Sequence, residues 1–172
     1  MSLAQTEMRA DTFLKLVSDP VVNISFSQFG EDFILETLFY GLRDGFYVDI
    51  GAHHPRRLSN TYLLHCAGWR GINVDLDDSL MAKFRAERPS DIKVIAALTD
   101  TSQSLDVSMF NEPAVNTLSP ARAEEYKHHW TVIEARSVQR RTFSDILACY
   151  LPADRTIDLL NVDVEGLDLN VL

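Results

Sequence analysis

Little in this chain points outward to an oxidising compartment, a membrane or a nucleic acid. Two isolated cysteines, Cys66 and Cys149, in 172 residues give no disulfide framework, and both are predicted to be buried core thiols. No apolar stretch is long enough for a membrane span, and the amino end, MSLAQTEMRADTFLKLVSD, mixes charges with short apolar pieces, so it contains no h-region. Its first three residues have the character of an expression leader. The chain reads as soluble and cytoplasmic. Basic residues are scarce: 16 Lys and Arg against 25 Asp and Glu leave a formal charge of −9, which disfavours a phosphate-backbone partner. Repeats, low-complexity tracts and long Gly/Pro/Ser linkers are also missing, so the chain is expected to form one domain over residues 1–172, with 1–45 as a helical lead-in.

What is present is an alternation of strand-like and helix-like segments. Ile34, Leu38 and Leu42 lie four apart, predicting a helix over about Glu31 to Leu42. Phe46 to Ile50 is a short apolar run closed by Gly51, as a buried parallel strand entering a tight turn should be. Ser59 is placed to cap a helix carrying Tyr62, Leu63 and Cys66, which Gly68 ends. A second strand, Gly71 to Asp75, precedes a helix from about Ser79 to Arg88 that Pro89 stops, and Ile92 to Leu98 reads as a third strand. This β-α-β-α-β order predicts a parallel sheet with right-handed crossovers. Leu105 to Phe110 and Ser137 to Phe143 are read as further strands around a helix begun by Ser119 and Pro120. A helix at Ser144 to Tyr150 then leads to a central strand, Ile157 to Val162. The expected class is α/β, Rossmann-like with a mainly parallel sheet, truncated after the fourth core strand. Such a sheet would expose an unpaired edge beside Ile157 to Val162, which predicts a homo-oligomer.

In open α/β sheets ligands bind beyond the carboxyl ends of the strands. Here those ends are Asp49, Asp75, Leu98 and Asp163, and the carboxylates among them predict a polar ligand. Asp75, about 20 residues beyond the Gly51 turn, is spaced to accept hydrogen bonds from ribose hydroxyls. The turn has a single glycine where a dinucleotide fingerprint has three, which tilts the expectation from NAD toward S-adenosylmethionine. Adjacent His53 and His54 rarely aim at one ion and have no evident third ligand, so no metal is assigned. His128 and His129, among Glu124, Glu125 and Lys127, read as a solvated helix face. Phe110, Tyr126 and Trp130 fit either a substrate wall or the core.

Several separate segments carry a resemblance: Ser27-Gln28-Phe29-Gly30-Glu31-Asp32, Tyr47 to Pro55, Ser59-Asn60-Thr61, Gly68 to Asp75, Arg88-Pro89-Ser90-Asp91, Asn116 to Ser119 and Ile157 to Gly166. In that order the chain resembles FkbM-type methyltransferases, specifically a His-His-Pro branch, although the family's later strands are missing after the Asp-Val-Glu-Gly segment. The resemblance implies the class I methyltransferase fold and S-adenosylmethionine as cofactor. It implies that Asp49, Gly51, Ala52 and His53 lie on the methionine side, that Asp75 holds the ribose, and that Leu76 and Leu98 flank adenine. Gln28 and Glu31 fit a reach over the cleft or a helix cap, and Asn60 is preferred to Ser59 as a ligand-binding residue. Asp163 and Glu165 are the catalytic candidates beside the transferred methyl group, with His53 or His54 as an alternative base. The acceptor is expected to be a hydroxyl of a small molecule or glycan. A non-catalytic adenosine-ligand or partner-binding module and an NAD oxidoreductase are the competing readings.

Overall fold

The computed structural model describes residues 18–19, 23–98, 106–117, 119–137 and 140–164. Four strands form a parallel sheet: β1 (Phe46–Ile50), β2 (Arg70–Asp75), β3 (Ile92–Ile95) and β8 (Leu159–Val162), in the order β3-β2-β1-β8. β1 lies in the middle with every residue buried, which is why its sequence is a nearly unbroken apolar run. On the outer side of β8 no strand is paired among the described residues. The main core sits on one face, where Val48, Ile50, Ile72, Val74 and Val94 meet Ile146 from helix α5 (Phe143–Tyr150). Helix α3 (Asp78–Glu87) crosses from β2 to β3, while the short α2 (Tyr62–Cys66) links β1 to β2. The parallel, Rossmann-like sheet expected from the sequence is therefore present.

Several local expectations are corrected. Helix α1 is Glu31–Leu38 and stops short of Leu42, because Phe39 leaves helical geometry and Gly41 turns at φ 88°. Its apolar row does not enter the core: Ile34 and Leu38 are 62% and 72% exposed. The predicted third strand divides at Ala96, directly after the last bond of the β2–β3 ladder, from the Ala96 N–H to the carbonyl of Asp75 (3.0 Å). The residues after it, β4 (Ala97–Leu98), pair with β7 (Arg140–Arg141) rather than with β2. Among the described residues the strand expected over Ser137 to Phe143 does not reach its end, because Thr142 and Phe143 belong to the start of a helix. Instead β6 (Val132–Ser137) pairs antiparallel with β5 (Asp106–Phe110), and Thr142 starts α5 through a capping box with Asp145. Ser119 does cap α4 (Pro120–Tyr126), as its sequence predicts.

Ser59 is not the cap of α2; Thr61 holds that position without a side-chain cap bond, and the Ser59 hydroxyl is taken by Arg88 (2.8 Å). Both cysteines are exposed, not buried, because they lie on the outer faces of α2 and α5. Among the described residues no helix is long and apolar enough to cross a membrane.

Candidate functional site

A cavity of about 620 Å³ opens where the sheet's carboxyl ends converge, within the range of small-molecule sites. Ile50 and Gly51 leave β1, Val74, Asp75 and Leu76 leave β2, and Asp163 and Val164 leave β8 to form its floor. Ala96, Ala97 and Leu98 close one side. Gln28, Phe29 and Glu31 form the rim at the start of α1, and His53, Arg57, Leu58 and Asn60 come from the β1–α2 loop. The opposite wall is built by Glu112, Pro113, Val115 and Asn116 after β5, with Trp130 ahead of β6.

The floor is shaped by a glycine. Gly51 has φ 77°, and a Cβ there would collide with the backbone carbonyl of Asp163, so only glycine lets β1 and β8 finish side by side. Next to it, Asp75 accepts from the backbone N–H of His53 (2.9 Å, Oδ2) and of Asp77 (2.8 Å, Oδ1). The backbone N–H of Leu76 also bonds this carboxylate, so three main-chain donors orient it. Burial pushes the Asp75 carboxyl up to about 6, against the pull of those backbone N–H donors.

His53 adopts φ 52°, unusual for a side chain with a Cβ, and its ring lines the cavity. Desolvation and then the nearby Arg57 charge lower its pKa to about 4, so the imidazole is neutral near pH 7. The adjacent His54 does something different: its Nδ1 accepts from the N–H groups of Arg56 and Arg57, both at 3.1 Å, and it does not line the cavity. His54 is therefore a turn-forming residue held away from the cavity lining. The two rings are 6.3 Å apart, and among the described residues no cluster of three His, Cys, Asp or Glu side chains is placed to hold a metal.

Of the cofactor-side residues expected from the sequence, Gln28, Glu31, Gly51, His53, Asn60, Asp75, Leu76, Leu98 and Asp163 surround this one cavity. Asp49 and Ala52 do not. Asp49 is 2% exposed and its carboxylate, with a pKa raised by burial, accepts from Thr61 (2.7 Å) and Asn161 (2.8 Å) on the sheet face that Tyr47 shares. Ala52 packs under Met81 and Phe84 of α3. Both brace the wall from behind. Glu31 combines two roles left open by the sequence: it lines the rim, and its Oε2 accepts from the N–H of Phe29 (2.8 Å). Asn60 is tied to Asn161 (3.1 Å). Asp163 is exposed at the floor and anchored through its own N–H to the carbonyl of Ile50 (2.9 Å). Glu165 lies outside the described residues.

Arg57 and Glu112 were not singled out by sequence. They form a two-pronged ion pair (3.2 and 3.4 Å) that joins the β1–α2 loop to the wall after β5. Nothing local predicts a partner 55 residues away. Trp130 does line the cavity, whereas Phe110 is 1% exposed and Tyr126 bridges the two rings by edge contacts.

A parallel sheet with a glycine turn after β1, an acid ending β2 and a cavity across the strand ends makes this an α/β domain of the Rossmann-like class. The family model of the methyltransferase FkbM domain matches residues 49–172, and the chain belongs to that family. The oxidoreductase reading is thereby set aside. No curated protein matches the chain, and no solved structure does.

Proposed function

We propose that the chain binds S-adenosylmethionine in this cavity and methylates a hydroxyl of a small molecule or glycan. The observation that carries the cofactor assignment is Asp75: a carboxylate at the end of β2, oriented by backbone N–H donors and placed at the cavity wall. Two vicinal ribose hydroxyls present the complementary donors. Leu76 and Leu98 supply apolar surface for the adenine, and the backbone at Gly51 permits close approach of the methionine part. When bound, the cofactor supplies an electrophilic methyl group on a cationic sulfur. The cavity suits that charge: Glu31, Asp75, Glu112 and Asp163 outnumber Arg57 along its lining.

Displacement at a methyl carbon depends mainly on alignment, with a base to take the hydroxyl proton. Asp163 is the leading base in this reading, since its carboxylate is exposed at the floor, and the neutral His53 imidazole is the second acceptor for that proton. The test is calorimetry with S-adenosylmethionine, S-adenosylhomocysteine and NAD, followed by turnover of Asp163→Asn. Binding of the first two and not of NAD is expected, with turnover falling about a hundredfold to ten-thousandfold and cofactor affinity changing much less. NAD binding alone would overturn the cofactor assignment. A near-normal rate would remove Asp163 as base.

A further inference from the structure

Beneath the cavity loop lies a cation that the chemistry above does not use. Arg88 is fully buried, yet among the described residues its guanidinium meets no carboxylate directly; it donates to the carbonyl of Pro55, to Ser59 Oγ (2.8 Å), to Thr61 Oγ1 (2.9 Å) and to Tyr47 Oη (3.3 Å). Its charge is balanced at one remove: Thr61 donates onward to Asp49 (2.7 Å), and Tyr47 donates onward to Asp91. The Tyr62 and Phe84 rings lie 5.4 and 5.1 Å from the guanidinium carbon and fix its plane. Arg88 follows α3 immediately before Pro89, which disfavours the helical conformation there and takes the residue out of the helix.

Three of those four acceptors belong to a single loop, the one that carries His53, Arg57, Leu58 and Asn60 into the cavity. That loop holds two non-glycine residues at positive φ, His53 (52°) and Leu58 (56°), a conformation that persists only where surrounding contacts enforce it. Asp75 grips the front of the loop at the His53 N–H, and Arg88 grips the back at Pro55, Ser59 and Thr61. A buried cation held by neutral oxygens is expensive in desolvation and is better explained by the geometry it imposes. The two terminal nitrogens of the guanidinium fork divide these acceptors, Nη1 taking Tyr47 and Thr61 and Nη2 taking Pro55 and Ser59, a division that the single nitrogen of lysine cannot reproduce.

We propose that Arg88 is the positioning residue of the cofactor cavity, acting through the β1–α2 loop; for its effect on ligand binding this rests on the S-adenosylmethionine reading above. Replacing it with lysine keeps the charge and loses the fork. Arg88→Lys is expected to weaken S-adenosylhomocysteine binding at least tenfold in calorimetry and to accelerate amide exchange in residues 53–61 while β1 to β3 stay protected. Ile146→Val, a core change on α5 away from the cavity, serves as the stability control and should leave affinity unchanged at a comparable fall in melting temperature. Unchanged affinity in Arg88→Lys, or exchange that rises evenly through the sheet, would overturn the proposal. Should Arg88→Lys fail to fold, Ser59→Ala removes one acceptor and should still cost a few-fold in affinity; no change there overturns it equally. A wild-type chain that binds no S-adenosylhomocysteine would sink the cofactor reading, while the exchange pattern would continue to judge Arg88 by itself.

Discussion

Asp75 is a carboxylate that the fold keeps under tension. Desolvation raises its pKa to about 6, so between its ordinary value near 3.8 and pH 6 the native chain holds a proton that the unfolded chain releases. The sign follows: the stability linked to this group is full below about pH 4 and is lost as the pH rises through about 6. Ligand binding should run the other way, because the ionised carboxylate is the stronger acceptor for hydroxyl donors. Wild-type affinity for S-adenosylhomocysteine is thus expected to strengthen from pH 5 to pH 7.5. In Asp75→Asn that gain should vanish, with affinity at pH 7.5 lower by about 1.5–3 kcal/mol. Calorimetry at the two pH values checks both statements, and a mutant that follows the wild-type pH trend would clear Asp75 of the role.

At the scale of elements, the junction of β1 and β8 is the tightest part of the site. Gly51→Ala combines a disfavoured φ of 77° with a collision against the Asp163 carbonyl, a backbone atom that no rotamer change moves aside. Gly41 provides the comparison: its φ is 88°, but a Cβ there meets nothing within 4 Å, so only the conformational cost applies. Gly51→Ala should therefore lower the denaturation midpoint well beyond Gly41→Ala, and it should also abolish ligand binding by separating Asp163 from the floor. Equal midpoints would mean that the β1–β8 approach is looser than the geometry requires.

The same junction explains what was legible in the sequence. β1, β2 and the Gly51 turn are local patterns of apolar run, glycine and acid, so their ends could be placed within a residue or so. β3 and the Ser137 to Phe143 segment could not, since the break at Ala96 and the switch to the β4–β7 pair depend on partners distant in the chain. The surroundings of Asp49 were hidden for a related reason: an acid at a strand end looks solvated or ligand-bound, and only the fold reveals that Thr61 and Asn161 donate to it in the wall. Arg57, Glu112 and Arg88 act through contacts 27 to 55 residues apart, which no spacing rule recovers.

Over the whole molecule the charge is −9, and the cavity repeats that imbalance with four carboxylates against the Arg57 guanidinium among its lining residues. Such a field attracts cations and focuses at a concave mouth. S-adenosylmethionine carries one more positive charge than S-adenosylhomocysteine, at the sulfur, so the two ligands probe the field with nearly the same shape. The Debye length falls from about 30 Å at 0.01 M salt to roughly 10 Å at 0.1 M, which screens the distant surface charges and spares those within the cavity. The association rate of S-adenosylmethionine should therefore fall with added salt more steeply than that of S-adenosylhomocysteine, while the difference in their dissociation rates changes little. Stopped-flow binding across that salt range measures both. Parallel slopes would mean that the acidic surface does not steer the ligand, leaving the contacts at Asp75 and Asp163 to account for any preference for the charged form.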